Sequence, residues 1–409
     1  MTSTGATVTA PKSQRTRSAG IGAAGFVLMF GVGTMYGLSG LQTALTATHT
    51  VNAAAALLPF GAASAGLAVG SGISGPVLGR LGARGTAMLG ALIWAAALIA
   101  AGGAFQASSL GGALGAFGAG GIGVGLTYLT LVATVGPAFP SQPLVGSAIG
   151  PLGFAFGTAA LMLLAAIAFT GTSAAAIGTA LVWAGIAVAA LTLATGWGLP
   201  PRSTMAPSPI PTHEARTAAS ARRTLRLLLF GNAYPGMLFL AIVIPLIVSS
   251  SPRVDGAAAE RIIAATTVAL FLGGLVAPRL RDLLGARSTF TLLLTVRGIA
   301  VFALLFVPTL PAAIIVTALI LFGHGAGFSI LPGLMRTQDD PSRFARNYAS
   351  VLISWGVAGA VGSVIAALSV AVTGGFTAAL VSAGAVALFS AAALTMARRR
   401  TAAVMGETV

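Results

Sequence analysis

Apolar runs long enough to cross a lipid bilayer follow one another along nearly the whole chain. A membrane-spanning helix needs about 20 apolar residues in succession. Only 7% of the 409 residues are charged, whereas soluble proteins average about 25%. So few charges cannot cover the surface of a water-soluble protein, because such a surface must be largely polar. The sequence therefore predicts an integral membrane protein.

Polar breaks between the apolar runs predict an all-α fold of twelve transmembrane helices in two six-helix, pseudo-symmetric halves. The first run is too long for the core of a cleavable signal peptide, so we expect it to be a permanent helix. A stretch rich in Pro, Ser and Ala separates the halves, and its composition indicates a linker. The expected helices are 21–47, 52–77, 86–104, 111–135, 144–169, 173–197, 225–248, 257–276, 288–307, 311–334, 347–372 and 376–396. The expected domains are an N-terminal tail 1–20, a bundle 21–199, a linker 200–224, a bundle 225–396 and a C-terminal tail 397–409.

The positions of Lys and Arg predict the orientation, since short cytoplasmic segments retain these residues. If both termini are cytoplasmic, 19 of the 22 basic residues fall on that side. The opposite side has only Arg253 and Arg261, and Arg297 falls inside a helix. The net charge of +15 thus reflects topology, and we expect a multi-pass protein of the plasma (inner) membrane that binds no nucleic acid.

The sequence lacks the signatures of enzymes and of cofactor or metal sites. The chain has no cysteine, which excludes disulfides and thiolate chemistry. It contains no phosphate-binding loop, no H-E-x-x-H and no nucleophile elbow. We therefore expect no cofactor and no catalysis, and the lack of a nucleotide site favours gradient-driven transport. The expected partners are a small-molecule substrate and membrane lipids, and we expect a monomer.

Two similar basic stretches occupy equivalent places in the two halves. "GPVLGRLGAR" (75–84) and "PRLRDLLGAR" (278–287) each lie between the second and third helix of a half. Glycine permits a tight turn, and arginine can reach carbonyls at a helix C-terminus or an acidic partner. Two six-helix repeats around a midplane cavity are a transporter plan, although ordinary positive-inside loops remain the simpler alternative. The residues predicted to form this cytoplasmic gate are Gly75, Arg80, Gly82, Arg84, Asp282, Gly285 and Arg287.

With these features the whole chain resembles the major facilitator superfamily. That family writes the repeated loop as G-x-x-x-D-R-x-G-x-R. The first copy has Gly79 where the family has Asp, and the second has Pro278 and Leu283 for the first Gly and the Arg. The resemblance implies alternating access by rocking of the halves, with a weaker loop charge network in the first half.

Two shorter stretches resemble particular branches of that family. "GSAIGPLG" (146–153) is similar to the helix 5 motif of antiporters, with Phe154 replacing its last Gly. In it, Gly146 and Gly150 permit close helix contact and Pro151 permits bending.

Residues 323–363 resemble helices 10 and 11 of the oxalate/formate antiporter and monocarboxylate porter branch. Ala349 departs from the branch pattern, and Gly274 and Trp355 stand where oxalate exchangers carry cations. A monocarboxylate is therefore favoured over a dicarboxylate. The matching residues are Asn347, Tyr348, Trp355, Gly356, Ala358 and Gly359.

Two ionisable residues within spans are candidates for binding or coupling. Arg297 lies near the bilayer centre, where a charge costs at least about 2.5 kcal/mol, so we expect it to bind a substrate carboxylate or, alternatively, to bond carbonyls or snorkel. His324 is the only histidine in a span, and its usual pKa of about 6.5 suits a proton carrier, although a packing role is equally open. None of the seven acidic residues lies in the middle of a span, which disfavours a cationic-drug/proton antiporter.

Other polar and aromatic residues are predicted to line the cavity because the resembled fold lines it with helices 1, 4, 7, 10 and, in part, 11. Each of them has a structural role as its alternative. With Arg297, the predicted substrate-binding residues are Tyr36, Gln42, Tyr128, Asn232, Tyr234 and Trp355.

The glycine pairs Gly111/Gly115 and Gly121/Gly125 predict close backbone approach along helix 4. Taken together, these features predict a secondary transporter for a small organic anion such as a monocarboxylate, by proton symport or exchange. The alternatives are an exporter of neutral or amphipathic compounds and a non-transporting sensor or assembly partner.

Overall fold

The computed structural model describes residues 12–47, 51–168, 173–201, 212–338 and 341–396. These residues form twelve helices, and no strand occurs among them. Helix α1 comprises Lys12–Gly33, a 3-10 segment Thr34–Gly40 and Leu41–Ala47. The others are α2 (58–81), α3 (83–106), α4 (Leu110–Val135), α5 (Pro143–Ala168), α6 (Ala174–Thr195), α7 (Thr212–Ser249), α8 (Gly256–Leu284), α9 (Ala286–Phe306), α10 (Leu310–Gln338), α11 (Pro341–Thr373) and α12 (Thr377–Met396).

Gly82 separates α2 from α3 within a helical stretch that is otherwise continuous from Leu58 to Gln106. A straight helix of this length would span about 74 Å, more than twice the hydrocarbon core of a bilayer. Gly82 has φ +70° and ψ 179°, a conformation that favours glycine, and the chain reverses direction there. The described residues thus contain eleven continuous apolar helical stretches, one of which supplies two spans. The twelve-helix prediction is confirmed.

Two helix starts differ from the predicted boundaries. Helix α1 begins at Lys12 and α7 at Thr212, so parts of the predicted N-terminal tail and linker are helical. Arginine and alanine favour helices, and residues 212–226 are rich in both. The rest of the predicted linker, 202–211, and the predicted C-terminal tail 397–409 lie outside the described residues.

The two halves, α1–α6 and α7–α12, pack against each other at the end away from the chain termini, which we call the opposite end. There the Gln42 amide donates to the Ala241 carbonyl, joining α1 to α7. Gly61 of α2 faces Ser363 of α11 so closely that a methyl group at Gly61 would lie 2.7 Å from the Ser363 Cβ. The other end is called the termini end; there the Ser18 hydroxyl of α1 donates to the Ala138 carbonyl between α4 and α5, a bond within the N-terminal half. The opposite end is therefore closed.

Large apolar side chains cover the outside of the bundle. Ile167, Trp183, Phe306, Val372 and Phe389 are all more than 60% exposed. Exposed apolar surface on this scale is unfavourable in water and favourable against lipid tails. The protein is therefore a multi-pass membrane protein.

Candidate functional site

The repeated Gly-Ala-Arg motif forms the same structure in both halves. Gly285 has φ +80°, like Gly82, and ends α8 as Gly82 ends α2. The Arg84 Nε donates to the Leu199 carbonyl beyond α6 at 2.9 Å, and Arg84 also stacks over Trp197. The guanidinium of Arg287 donates to the carbonyls of Leu394 and Thr395 in α12, both at 2.9 Å. In each half, the motif therefore bonds the turn between the second and third helices to the chain at the end of the sixth helix or just after it.

We expect Arg84→Gln and Arg287→Gln to lower stability by similar amounts, about 1–2 kcal/mol each, because each removes charged donors from helix-terminal carbonyls. Thermal unfolding of the purified variants measures this. The control is Arg223→Gln, since Arg223 is exposed at the same end. A loss confined to one half, or a loss as large in the control, would contradict the symmetric role.

A cavity of about 410 Å³ lies between the halves and opens at the termini end. Helices α4 and α5 form one wall, α8 and α10 the other, and Met29 contributes from α1. Glycine and proline shape both walls, because Gly146, Gly150 and Pro151 lie on one side and Pro278, Pro332 and Gly333 on the other. The three residues predicted for helix bending therefore line this cavity.

The inner end of the cavity is an aromatic floor formed by Tyr128 and Phe328, whose ring centroids lie 6.1 Å apart. Both rings pack on Trp355, whose ring centroid lies 4.6 Å from that of Tyr128 and 4.9 Å from that of Phe328. Beyond this floor lies a smaller space of about 30 Å³, bounded also by Tyr36, Phe154 and His324. It has room for a water molecule.

A hydrogen-bond network joins the halves at the floor. The Trp355 Nε1 donates to the Tyr36 hydroxyl at 2.8 Å, and that hydroxyl lies 2.6 Å from the His324 Nε2. Trp355 can only donate, which leaves the Tyr36 O–H available to donate to an unprotonated Nε2. The His324 Nδ1 is buried and has no hydrogen-bond partner among the described residues. Four of the predicted residues, Tyr36, Tyr128, His324 and Trp355, thus meet at one place.

Arg297 lies behind α10 and lines neither space. Its NH2 donates to the Asn232 Oδ1 at 2.8 Å, its NH1 to the Asn232 carbonyl at 3.1 Å, and its Nε to the Leu293 carbonyl at 3.3 Å. The glycine at 323 makes room for it, because a methyl group there would lie 2.6 Å from Cδ and Nε of Arg297. Of the two predicted alternatives, the structure shows carbonyl bonding.

Three other predicted substrate residues also lie away from the cavity. Asn232 accepts from Arg297 and donates to the His324 carbonyl at 3.3 Å. The Tyr234 hydroxyl pairs with Ser382 of α12 at 3.0 Å, and Gln42 lies at the closed opposite end. These contacts are structural links between helices.

The remaining predicted gate residues do not form one charge network in the described residues. Asp282 pairs with the adjacent Arg281 at 2.7 Å, the one ion pair among the described residues. Gly75 packs beside Arg346 of α11, since a methyl group at Gly75 would lie 3.5 Å from the Arg346 Cα. Arg80 is exposed.

Three polar residues of the cavity were not anticipated from the sequence. Arg279 and Arg281 line its mouth from the last turns of α8. Deeper, the Ser329 hydroxyl is buried and has no partner among the described residues, although helical serines usually bond to a carbonyl one turn back. A cation–serine set of this kind can bind an anion.

The structure is similar to those of solved membrane transporters along almost its entire length. A bacterial homologue of the human lysosomal transporter Spinster, in an inward-facing and occupied conformation, aligns with a TM-score of 0.69 at 14% identity, covering 97% of this chain and 99% of that one. A D-xylose-proton symporter aligns with a TM-score of 0.65 at 16% identity, covering 92% of this chain and 96% of that one. The chain has the fold of these transporters.

A transporter of the POT family, in complex with 5-aminolevulinic acid, aligns with a TM-score of 0.68 at 14% identity. The alignment covers 93% of this chain and 96% of that one. The sequence itself matches no known family model and no curated protein. The fold implied by the resemblance to the major facilitator superfamily is therefore supported, whereas the oxalate/formate and monocarboxylate branch is not.

Proposed function

We propose that this protein is a secondary transporter that works by alternating access. The cavity between the halves is open at the termini end and closed at the opposite end, which is one of the two states that such a cycle requires. Solved transporters share the fold. We also propose that both termini lie in the cytoplasm, so that the cavity faces inward in this state.

The substrate we propose is a small organic anion, most simply a monocarboxylate. The observation that carries this proposal is the charge of the cavity lining, in which Arg279 and Arg281 outnumber the single acid, Asp282. The lining thus has one positive charge in excess. Ser329 also lines the cavity, and its buried hydroxyl, which has no partner among the described residues, is a candidate donor to a carboxylate oxygen.

The walls below the mouth are mainly apolar, with Met29, Leu131, Val132 and Val135 on one side. A carboxylate with a short apolar body fits such a site, since its charge can meet the arginines while its carbon atoms leave water. Transport by proton symport or by exchange with a second anion is consistent with this site.

A neutral or amphipathic substrate is the second candidate. The aromatic floor of the cavity, formed by Tyr128 and Phe328 and backed by Trp355, suits contact with an apolar or aromatic compound without a charge.

The test is uptake of radiolabelled lactate, pyruvate, acetate, formate and oxalate into proteoliposomes, with and without an imposed proton gradient. We expect saturable uptake of a monocarboxylate and a rise in KM of about 10-fold or more in Arg279→Gln, because a charged hydrogen bond contributes about 1.5–3 kcal/mol.

The matched control is Arg223→Gln, which removes an exposed arginine at the same end that does not line the cavity. Its KM should equal that of the wild type. If no carboxylate is transported, or if both variants change KM equally, the anion proposal fails and neutral compounds become the next substrates to assay.

A further inference from the structure

Glu260 places a carboxyl group inside the closed opposite end. It lies in the second turn of α8 in the C-terminal half, and only 2% of its surface is exposed. The group faces the N-terminal half, because a methyl group at Gly40 of α1 would lie 3.8 Å from the Glu260 Oε1 and 3.0 Å from the Ala165 Cβ of α5. At the closed end the carboxyl group therefore lies against α1 of the other half.

The surroundings offer this carboxyl little to balance a charge. The ionisable groups that act on it come from its own helix, namely Asp255 and Arg261, and both are exposed. In their described parts, α1 after residue 36, α5, α7 from residue 238 and α10 up to residue 320 bring no ionisable side chain to this end. No ion pair to Glu260 occurs among the described residues. An isolated carboxylate buried in this way is costly, whereas the protonated acid is not.

We propose that Glu260 is a proton-binding site whose occupancy is linked to closure of the opposite end. In the closed arrangement the carboxyl group holds a proton. When α1 and α5 separate from α8, water reaches the group and its proton passes to the medium at that end, leaving a carboxylate. Because the linkage is reciprocal, deprotonation of Glu260 favours opening of that end.

One short segment connects this site to the cavity. Gly40 and Tyr36 belong to the same 3-10 stretch, Thr34–Gly40, all seven residues of which are buried. Runs of 3-10 helix this long are uncommon and often mark a hinge within a helix. Tyr36 contacts His324 and Trp355 at the aromatic floor, and Gly40, four residues later, lies beside Glu260, so that a methyl group at Gly40 would be 3.8 Å from its Oε1. A change at the cavity floor can therefore reach the proton site through α1.

The test uses a cysteine placed at the closed end, since the chain has none of its own. Ser363 of α11 is fully buried against Gly61 of α2, on a different helix pair from Glu260, and Ser363→Cys changes one atom. The labelling rate by a water-soluble maleimide is measured in detergent for Ser363→Cys alone and combined with Glu260→Gln. The ratio of the two rates at each pH cancels the pH dependence of the thiol itself.

We expect Ser363→Cys alone to label about 5-fold or more faster than the Glu260→Gln combination in neutral and alkaline buffer, because glutamine mimics the protonated acid. The two rates should converge in acidic buffer. The control combination with Arg253→Gln, which removes an exposed charge at the same end, should label like Ser363→Cys alone.

Equal rates with and without Glu260→Gln at every pH would overturn this proposal, as would an equal effect of Arg253→Gln. The proposal rests on the alternating access proposed above but needs no substrate. Failure of carboxylate uptake and failure of this linkage are therefore distinguishable.

Discussion

Arg297→Ala is expected to lower the stability of the protein by about 3–5 kcal/mol without changing the KM of the fraction that folds. The substitution removes two hydrogen bonds that tie α9 to α7 and one to the Leu293 carbonyl within α9, and it leaves a void behind α10. The guanidinium lines neither space at the interface of the halves, so substrate affinity should not depend on it. The measurements are the folded fraction by size-exclusion chromatography, the unfolding temperature and the KM for carboxylate uptake.

Arg297→Gln is the matched variant for this prediction. Its amide can still donate to Asn232, so we expect a smaller loss of stability than in Arg297→Ala and again an unchanged KM. A stable Arg297→Gln protein that has lost carboxylate uptake would contradict the structural role and would indicate that Arg297 binds the substrate.

The second large effect is expected at Gly121, where α4 packs directly on the backbone of α2. A methyl group at Gly121 would overlap the carbonyl oxygen of Ala63, and one at Gly125 would lie 2.5 Å from the Ser71 nitrogen. Backbone atoms cannot move aside as a flexible side chain can, so Gly121→Ala must push the two helices apart. We expect a loss of most folded protein, measured as the monodisperse fraction after membrane extraction.

Gly115→Ala is the control on the same helix. Gly115 has no neighbouring atom within 4 Å at its methyl position, and alanine favours a helix by about 1 kcal/mol over glycine. This variant should fold as well as the wild type or better. Equal yields for Gly115→Ala and Gly121→Ala would show that close α2–α4 packing does not limit stability.

The number of helices and the division into halves could be predicted because span length and the positions of arginine are properties of the sequence alone. The helix boundaries at the two basic motifs could not be predicted from these properties. Arg80 and Arg84 were assigned to a loop, yet arginine is a good helix former, and one glycine, Gly82, suffices for the reversal.

The faces of the helices were the harder problem. Tyr36 and Trp355 were each predicted to line the cavity and meet at its floor, whereas the Tyr234 hydroxyl contacts α12 and Arg297 contacts α7. In a soluble protein, polar periodicity shows which face is exposed, whereas here lipid and protein neighbours are both apolar. Glu260 was overlooked for a related reason. It does not lie in the middle of a span, and nothing in its sequence position indicates the burial that the packed helices show.

Alternating access requires that the cavity open in turn at the two ends of the protein. Distances between spin labels on introduced cysteines test it directly, with one pair at Gln142 and Leu283 of the termini end and another at Ala53 and Arg253 of the opposite end. All four positions are exposed. Across acidic and neutral buffer, with and without lactate, we expect two populations in which the first distance shortens as the second lengthens. Two distances that stay fixed, or that change in the same direction, would contradict it.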